Sequence, residues 1–121
     1  PIARLQSVIG TADLLALQAR VRRTHIAEPV RQYVVAVTRA TREHPGIRLG
    51  GSTRSALGLQ AACQALAACR GRDFVIPDDV KALAVPVLSH RIILKTETRL
   101  KGRTEEDLLR EVLVSVPVPA E

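Results

Sequence analysis

The sequence contains no methionine and no tryptophan, and Tyr33 and Phe74 are its only tyrosine and phenylalanine. So few aromatic side chains disfavour a sandwich of aromatic and β-branched strands, whereas the abundant Ala, Leu and Val suit close-packed helices. The lack of methionine even at position 1 predicts that these 121 residues are a piece of a longer translated product. No apolar run approaches the length of a membrane span, and the N-terminus lacks the charged-then-apolar order of a signal peptide, so a cytoplasmic setting is expected. The two cysteines, Cys63 and Cys69, are six apart on one predicted helix, with no Cys-x-x-Cys pattern or nearby His pair to complete a metal site. Both are expected to be small buried hydrophobes. His25, His44 and His90 share no spacing that would make a ligand set.

What is present is the balance of one globular domain, with 46% apolar and 25% charged residues. The net charge is +6, and all of the excess is N-terminal: residues 1–54 hold nine Arg and three acids, while residues 55–121 hold nine basic and nine acidic residues. A basic half invites a phosphate-bearing partner, whether nucleic acid, nucleotide or membrane surface.

The apolar spacing predicts an all-α fold, a small bundle of about four to five helices. Residues 1–10 have no period and read as a linker. Thr11 caps a first helix to about Arg23, with Leu14, Leu17, Gln18 and Val21 on one face. A second starts near Glu28-Pro29 and carries Val30, Tyr33, Val34, Val37 and Thr38 on a stripe, ending near Arg42 because Pro45 disfavours helical geometry at His44. The connection 43–51 has three glycines, and Ile47 and Leu49 alternate as in a short extended piece.

Ser52 caps a third, central helix to about Arg70, with Leu59, Cys63 and Leu66 inward, and Gly71 closes it in a left-handed cap. Pro77 with Asp78 and Asp79 opens a fourth, with Val80, Leu83, Ala84, Val87 and Leu88 as its buried stripe and Pro86 as a source of a kink. After a polar stretch, Thr104 and Glu105, Glu106 and Asp107 start a last helix with Leu108, Leu109, Val112 and Leu113 inward. The domain therefore spans 11–116, and 117–121 form an extended tail.

Catalytic signatures are missing. Gly46-Ile-Arg-Leu-Gly-Gly51-Ser52-Thr53 falls one residue short of a phosphate-cradling P-loop, since Ser52 stands where the motif requires lysine and no strand precedes it. Asp78-Asp79 reads as helix-start acids rather than a catalytic dyad. Arg20, Arg22 and Arg23 sit at a helix end, where the dipole welcomes cations. Arg54 does not: in the first turn of its helix a cation opposes the macrodipole by about 0.3–1 kcal/mol, a penalty that a bound phosphate would reverse. On spacing alone, a solvated surface arginine that tolerates this small cost is the favoured reading.

Four blocks resemble the C-terminal lid of MoxR-type AAA+ ATPases: Ala40-Thr41-Arg42-Glu43-His44-Pro45, Leu49-Gly50-Gly51-Ser52-Thr53-Arg54, Gly71-Arg72-Asp73-Phe74-Val75-Ile76-Pro77-Asp78-Asp79-Val80 and Val87-Leu88-Ser89-His90-Arg91. The resemblance is strong over about residues 10–95. It implies a helical lid beside an ATPase core whose P-loop, Walker B acid and arginine finger precede residue 1, with ATP and Mg bound there and none by these residues alone. It implies that Arg54 is the sensor 2 arginine contacting the γ-phosphate, with Gly51, Ser52 and Thr53 as the supporting helix start.

The resemblance also implies hexameric rings and a chaperone-like role toward a von Willebrand A-type or metal-dependent client, and it leaves open whether Arg54 serves its own or a neighbouring subunit. Thr53 stands where the family usually has proline. Ile76 stands where a capping threonine is common, so Asp78 or Asp79 is expected to satisfy the exposed amides there. The rival readings are a basic helical nucleic-acid-binding module, disfavoured by the lack of aromatics for base stacking, and a plain helical scaffold for protein partners.

Overall fold

In the computed structural model, which describes residues 1–120, helices form where apolar residues recur every three to four positions. They are α1 (Thr11–Arg22), α2 (Glu28–Glu43), α3 (Thr53–Cys69), α4 (Pro77–Leu88), α5 (Thr96–Leu100) and α6 (Glu105–Ser115). Two short strands, β1 (Ile47–Leu49) and β2 (Ile93–Leu94), pair antiparallel, with Ile47 opposite Leu94 and Leu49 opposite Ile93. Single 3-10 turns cover Ile2–Arg4 and Ser89–Arg91. No helix is long and apolar enough to cross a membrane among the described residues.

The predicted stripe of α2 is the floor of the core: Val30, Tyr33, Val34, Val37 and Thr38 are all buried, and Thr41 extends the row by one turn. Leu59, Cys63 and Ala67 of α3, Val80, Ala84 and Leu88 of α4, and Leu108, Leu109 and Val112 of α6 close over it. Ile47 and Leu94 turn inward from the paired strands, while Leu49 and Ile93 face out. The all-α class holds, with two elements added in the stretch that reads as a polar connection. β2 is two residues long and α5 five, so neither is long enough to show a period. Pairing is what orders them: Lys95 donates its N–H to the Gly46 carbonyl at 3.0 Å, and the Thr98 hydroxyl donates to the same oxygen at 2.9 Å.

Helix ends follow local chemistry. Thr104 accepts from the Asp107 N–H while the Asp107 carboxylate accepts from the Thr104 N–H, a reciprocal cap on α6. Gly71, at φ +75°, ends α3 in a full Schellman turn, its N–H bonding Ala68 and that of Arg72 bonding Ala67. α4 continues past Pro86, which is exposed, and ends at Leu88.

Three expectations need correction. Gly10, not Thr11, occupies the N-cap of α1; Thr11 is the first helical residue. Leu66, Leu83, Val87 and Leu113 are only partly buried, and Ala67 takes the inward position on α3 in place of Leu66. Cys63 is buried but Cys69 is exposed, because six residues advance a helix by about 240° beyond whole turns and carry the second cysteine off the core face. Of the extended tail, residues 117–120 have no regular structure, and position 121 lies outside the described residues.

Candidate functional site

The start of α3 is held from below by the end of α2. The buried Thr41 hydroxyl donates to the Thr38 carbonyl at 2.6 Å and accepts the Gly51 N–H at 2.8 Å, and Arg42 Nε donates to the Gly51 carbonyl at 2.6 Å. Gly50 makes this approach possible. A Cβ there would lie 2.5 Å from the Arg42 backbone nitrogen and 2.6 Å from its Cα, closer than any side chain tolerates. The glycine pair is therefore a close-contact seat rather than a flexible loop.

From this seat Ser52 caps α3. Its hydroxyl accepts the Ser55 N–H at 3.3 Å, and the Ser55 hydroxyl accepts the Ser52 N–H at 3.2 Å. Ser55 thus takes the part that Glu or Gln plays in the common capping box. Of the opening amides, Ser55 and Ala56 are bonded to Ser52, while the N–H groups of Thr53 and Arg54 have no partner among the described residues. Arg54 is exposed and makes no hydrogen bond or ion pair among them either. Gly51, Ser52, Thr53 and Arg54 thus come together as a rigid, cationic helix start with two open amides. Such an arrangement presents hydrogen-bond donors and a positive charge of the kind that suits an anion.

Two further clusters shape the molecule without making chemistry. Asp79 is fully buried at the start of α4. Its carboxylate accepts from Arg72 at 2.6 and 2.9 Å, from Arg70 at 3.3 Å and from the Ile76 N–H at 3.0 Å. Asp79 thereby bonds the Ile76 N–H itself, while the amide that a threonine side chain at position 76 would accept, that of Asp79, is bonded to the Ile76 carbonyl at 3.0 Å. His44 Nδ1 accepts the Gly46 N–H at 3.0 Å, so Nε2 carries the proton donated to Glu111 at 2.9 Å, with Arg103 on the other Glu111 oxygen. Burial pushes the Cys63 thiol up to about 12, with the Asp79 charge adding to it, so it is held as a neutral core residue.

No group of three or more His, Cys, Asp and Glu side chains that could hold a metal occurs among the described residues. His25 has a structural part, pairing through its backbone with Asp73 and Val75. Arg20, Arg22 and Arg23 lie at the exposed C-terminal end of α1. The residues that sequence reasoning missed are Thr41 and Arg42. They stood in a recognised block, but their bonds to Gly51 cross a loop of nine or ten residues, and no helical or strand period reports such a contact.

The model of the AAA lid domain family matches residues 39–112, which include the whole helix start. YeaC of Bacillus subtilis is 37% identical over all of this chain, which covers 38% of that protein. Chaperone MoxR1 of Mycobacterium tuberculosis is 35% identical over 94% of this chain and 33% of its own length. Protein MoxR of Paracoccus denitrificans is 31% identical over 95% of this chain and 38% of its own. Among solved structures, a candidate ATPase from Cytophaga hutchinsonii superposes with a TM-score of 0.89 at 28% identity, over 95% of this chain and 38% of that one. The chain thus spans about a third of the length of the proteins it matches.

Proposed function

The chain belongs to the AAA lid domain family, as the C-terminal lid of a MoxR-type AAA+ ATPase, and from that premise we propose that it reports bound ATP through Arg54. The observation that carries this reading is the helix start itself: an arginine in the first turn, two open amides beside it, and a glycine seat bonded to α2 that fixes both in place. A γ-phosphate at that turn would turn an unfavourable charge placement into charge-assisted bonds. Hydrolysis removes the anion and with it the reason for the lid to stay closed.

In this reading the ATPase core supplies the P-loop, ATP and Mg, and these residues supply sensing and geometry. The N-terminal segment supports a core beside the lid. α1 contributes no buried residue, and Leu14, Leu15 and Leu17 are about half exposed on it, with Ile2, Leu5, Val8 and Ile9 exposed before it. So many uncovered apolar side chains in 22 residues suit a surface covered by another domain. Hexameric assembly, a cytoplasmic setting and remodelling of a von Willebrand A-type or metal-dependent client belong to the same proposal.

The test is Arg54→Ala in the complete ATPase, followed by ATP turnover and nucleotide-dependent assembly. Loss of either supports the assignment. If both match the unaltered protein, Arg54 has no sensing role.

A further inference from the structure

A second arginine shares the face that Arg54 occupies. Gly58 lies one helical turn after Arg54 on α3, and residues four apart are neighbours on a helix surface, about 5–6 Å between Cβ atoms. Arg91, in the 3-10 turn Ser89–Arg91 that follows α4, brings its guanidinium over Gly58. A Cβ on that glycine would be 3.8 Å from Cζ and 3.8 Å from each Nη of Arg91. Equal distances to those three atoms mean that the flat face of the guanidinium rests on the glycine and its N–H edge stays open.

Arg91 is exposed and has no hydrogen bond or ion pair among the described residues. The helix beneath it, Thr53–Cys69, contains no acidic residue. Several other arginines of the fold have carboxylates opposite, Arg70 and Arg72 on Asp79, Arg99 on Glu105 and Arg103 on Glu111, and Arg42 is bonded to the Gly51 carbonyl. Arg91 lies over a glycine and has no carboxylate opposite it among the described residues. Glycine in a helix interior costs about 1 kcal/mol relative to alanine, and a bulky side chain at position 58 would displace the guanidinium.

We propose that Arg91 is a second phosphate-binding residue of the lid, acting with Arg54 on the phosphate chain of one nucleotide. The proposal rests on the sensing role given above to Arg54. The Arg54 guanidinium and two open amides at the start of α3, with the Arg91 guanidinium lying over Gly58 from the turn after α4, gather more positive charge than a single carboxylate balances, so a polyphosphate is the fitting ligand rather than an acidic side chain of the core.

The experiment titrates the complete ATPase with fluorescently labelled ATP and with adenosine as a phosphate-free competitor, comparing Arg54→Ala, Arg91→Ala and Gly58→Leu. Arg91→Ala is expected to weaken ATP binding about tenfold, as loss of one charge-assisted contact does, and to leave adenosine competition unchanged. Gly58→Leu, which keeps the arginine but removes its seat, should act in the same direction, and thermal unfolding verifies that each variant is folded. If Arg91→Ala binds ATP within about twofold of the unaltered protein while Arg54→Ala does not, Arg91 is excluded and the Arg54 reading survives. Unchanged binding in both alanine variants removes the two together. Equal weakening of ATP and adenosine by Arg91→Ala would assign Arg91 to lid docking and overturn the proposal.

Discussion

Replacing Asp79 by alanine tests whether the α3–α4 junction is organised by one buried carboxylate. Asp79 is fully buried and accepts two bonds from Arg72, one from Arg70 and one from the Ile76 amide. The capping bond to Ile76 accounts for about 1 kcal/mol. The paired bonds to Arg72, whose side chain is only 22% exposed, account for about 1.5–3 kcal/mol. Arg70, half exposed at 3.3 Å, adds about 0–1 kcal/mol after solvent screening. The expected loss is about 3–5 kcal/mol, the range seen when one partner of a buried ion pair is removed. In a chain of this size that lowers the unfolding temperature by about 10–20 °C, read by circular dichroism in thermal and urea unfolding. A loss under about 1 kcal/mol would show that the arginines stabilise nothing through Asp79.

The same carboxylate has a pH signature. Burial by itself raises the Asp79 pKa, but the Arg72 hydrogen bonds, the Ile76 amide and the Arg72 and Arg70 charges outweigh it and hold the group below its ordinary value of 3.8. A group depressed in the folded state stabilises the fold fully above its unfolded value and loses that contribution as pH falls through the folded one. The stability gap between the unaltered chain and Asp79→Ala should therefore be constant near neutrality and narrow below pH 3.8. Asp107 and Glu111 are also depressed, chiefly by the Thr104 amide and by Arg103 respectively, so both proteins lose stability there. Only the narrowing of the gap reports Asp79.

The Tyr33 hydroxyl is buried without a partner among the described residues, so Tyr33→Phe should leave stability unchanged or raise it by about 1–2 kcal/mol in urea unfolding; a clear loss would mean a bonding partner exists. Gly50→Ala forces a methyl group into the Arg42 backbone, and a loss of about 1–3 kcal/mol is expected, with a neutral result excluding the close seat. A thiol reagent should modify Cys69 at once and Cys63 only on unfolding, and equal rates would contradict the burial of Cys63. Arg54→Glu should stabilise the isolated chain by about 0.3–1 kcal/mol by matching the helix dipole, measured by thermal unfolding, while abolishing the ATP response of the complete ATPase. Destabilisation would show that Arg54 packs against the fold.

The sequence exposes what local physics decides. Val30, Tyr33, Val34 and Val37 repeat with the helical period, Ser52 is a good cap, and Gly71 is free to take positive φ, so α2 and both ends of α3 are readable from neighbours in the chain. What stays hidden depends on partners brought together by the fold. Ile93-Leu94 becomes a strand only because Ile47-Arg48-Leu49 lies alongside it. Arg72 finds Asp79 only because the Gly71 turn reverses the chain. The helix start occupies an intermediate position: its cap and its misplaced charge are local facts, whereas its rigidity comes from Thr41 and Arg42 across the loop.

That rigidity explains how the N-terminal charge excess is distributed. Arg31 and Arg39 pair with Glu28 and Glu43 along α2, and Arg42 is committed to the Gly51 carbonyl. Arg20, Arg22 and Arg23 stand at the C-terminal end of α1, where positive charge is favourable. Arg54 alone among the arginines of residues 1–54 occupies the first three positions of an α-helix. Relieving its cost would need only a longer loop or a neutral side chain, yet the chain instead commits two glycines, a buried threonine and a second arginine to holding that helix start in one place. Rigidity at a charged surface contributes to binding more than to folding, because a pre-formed site loses less entropy when its ligand arrives. In the role proposed for it, a flexible Arg54 could still attract phosphate, but it could not convert the presence of one phosphate into a defined position of the lid.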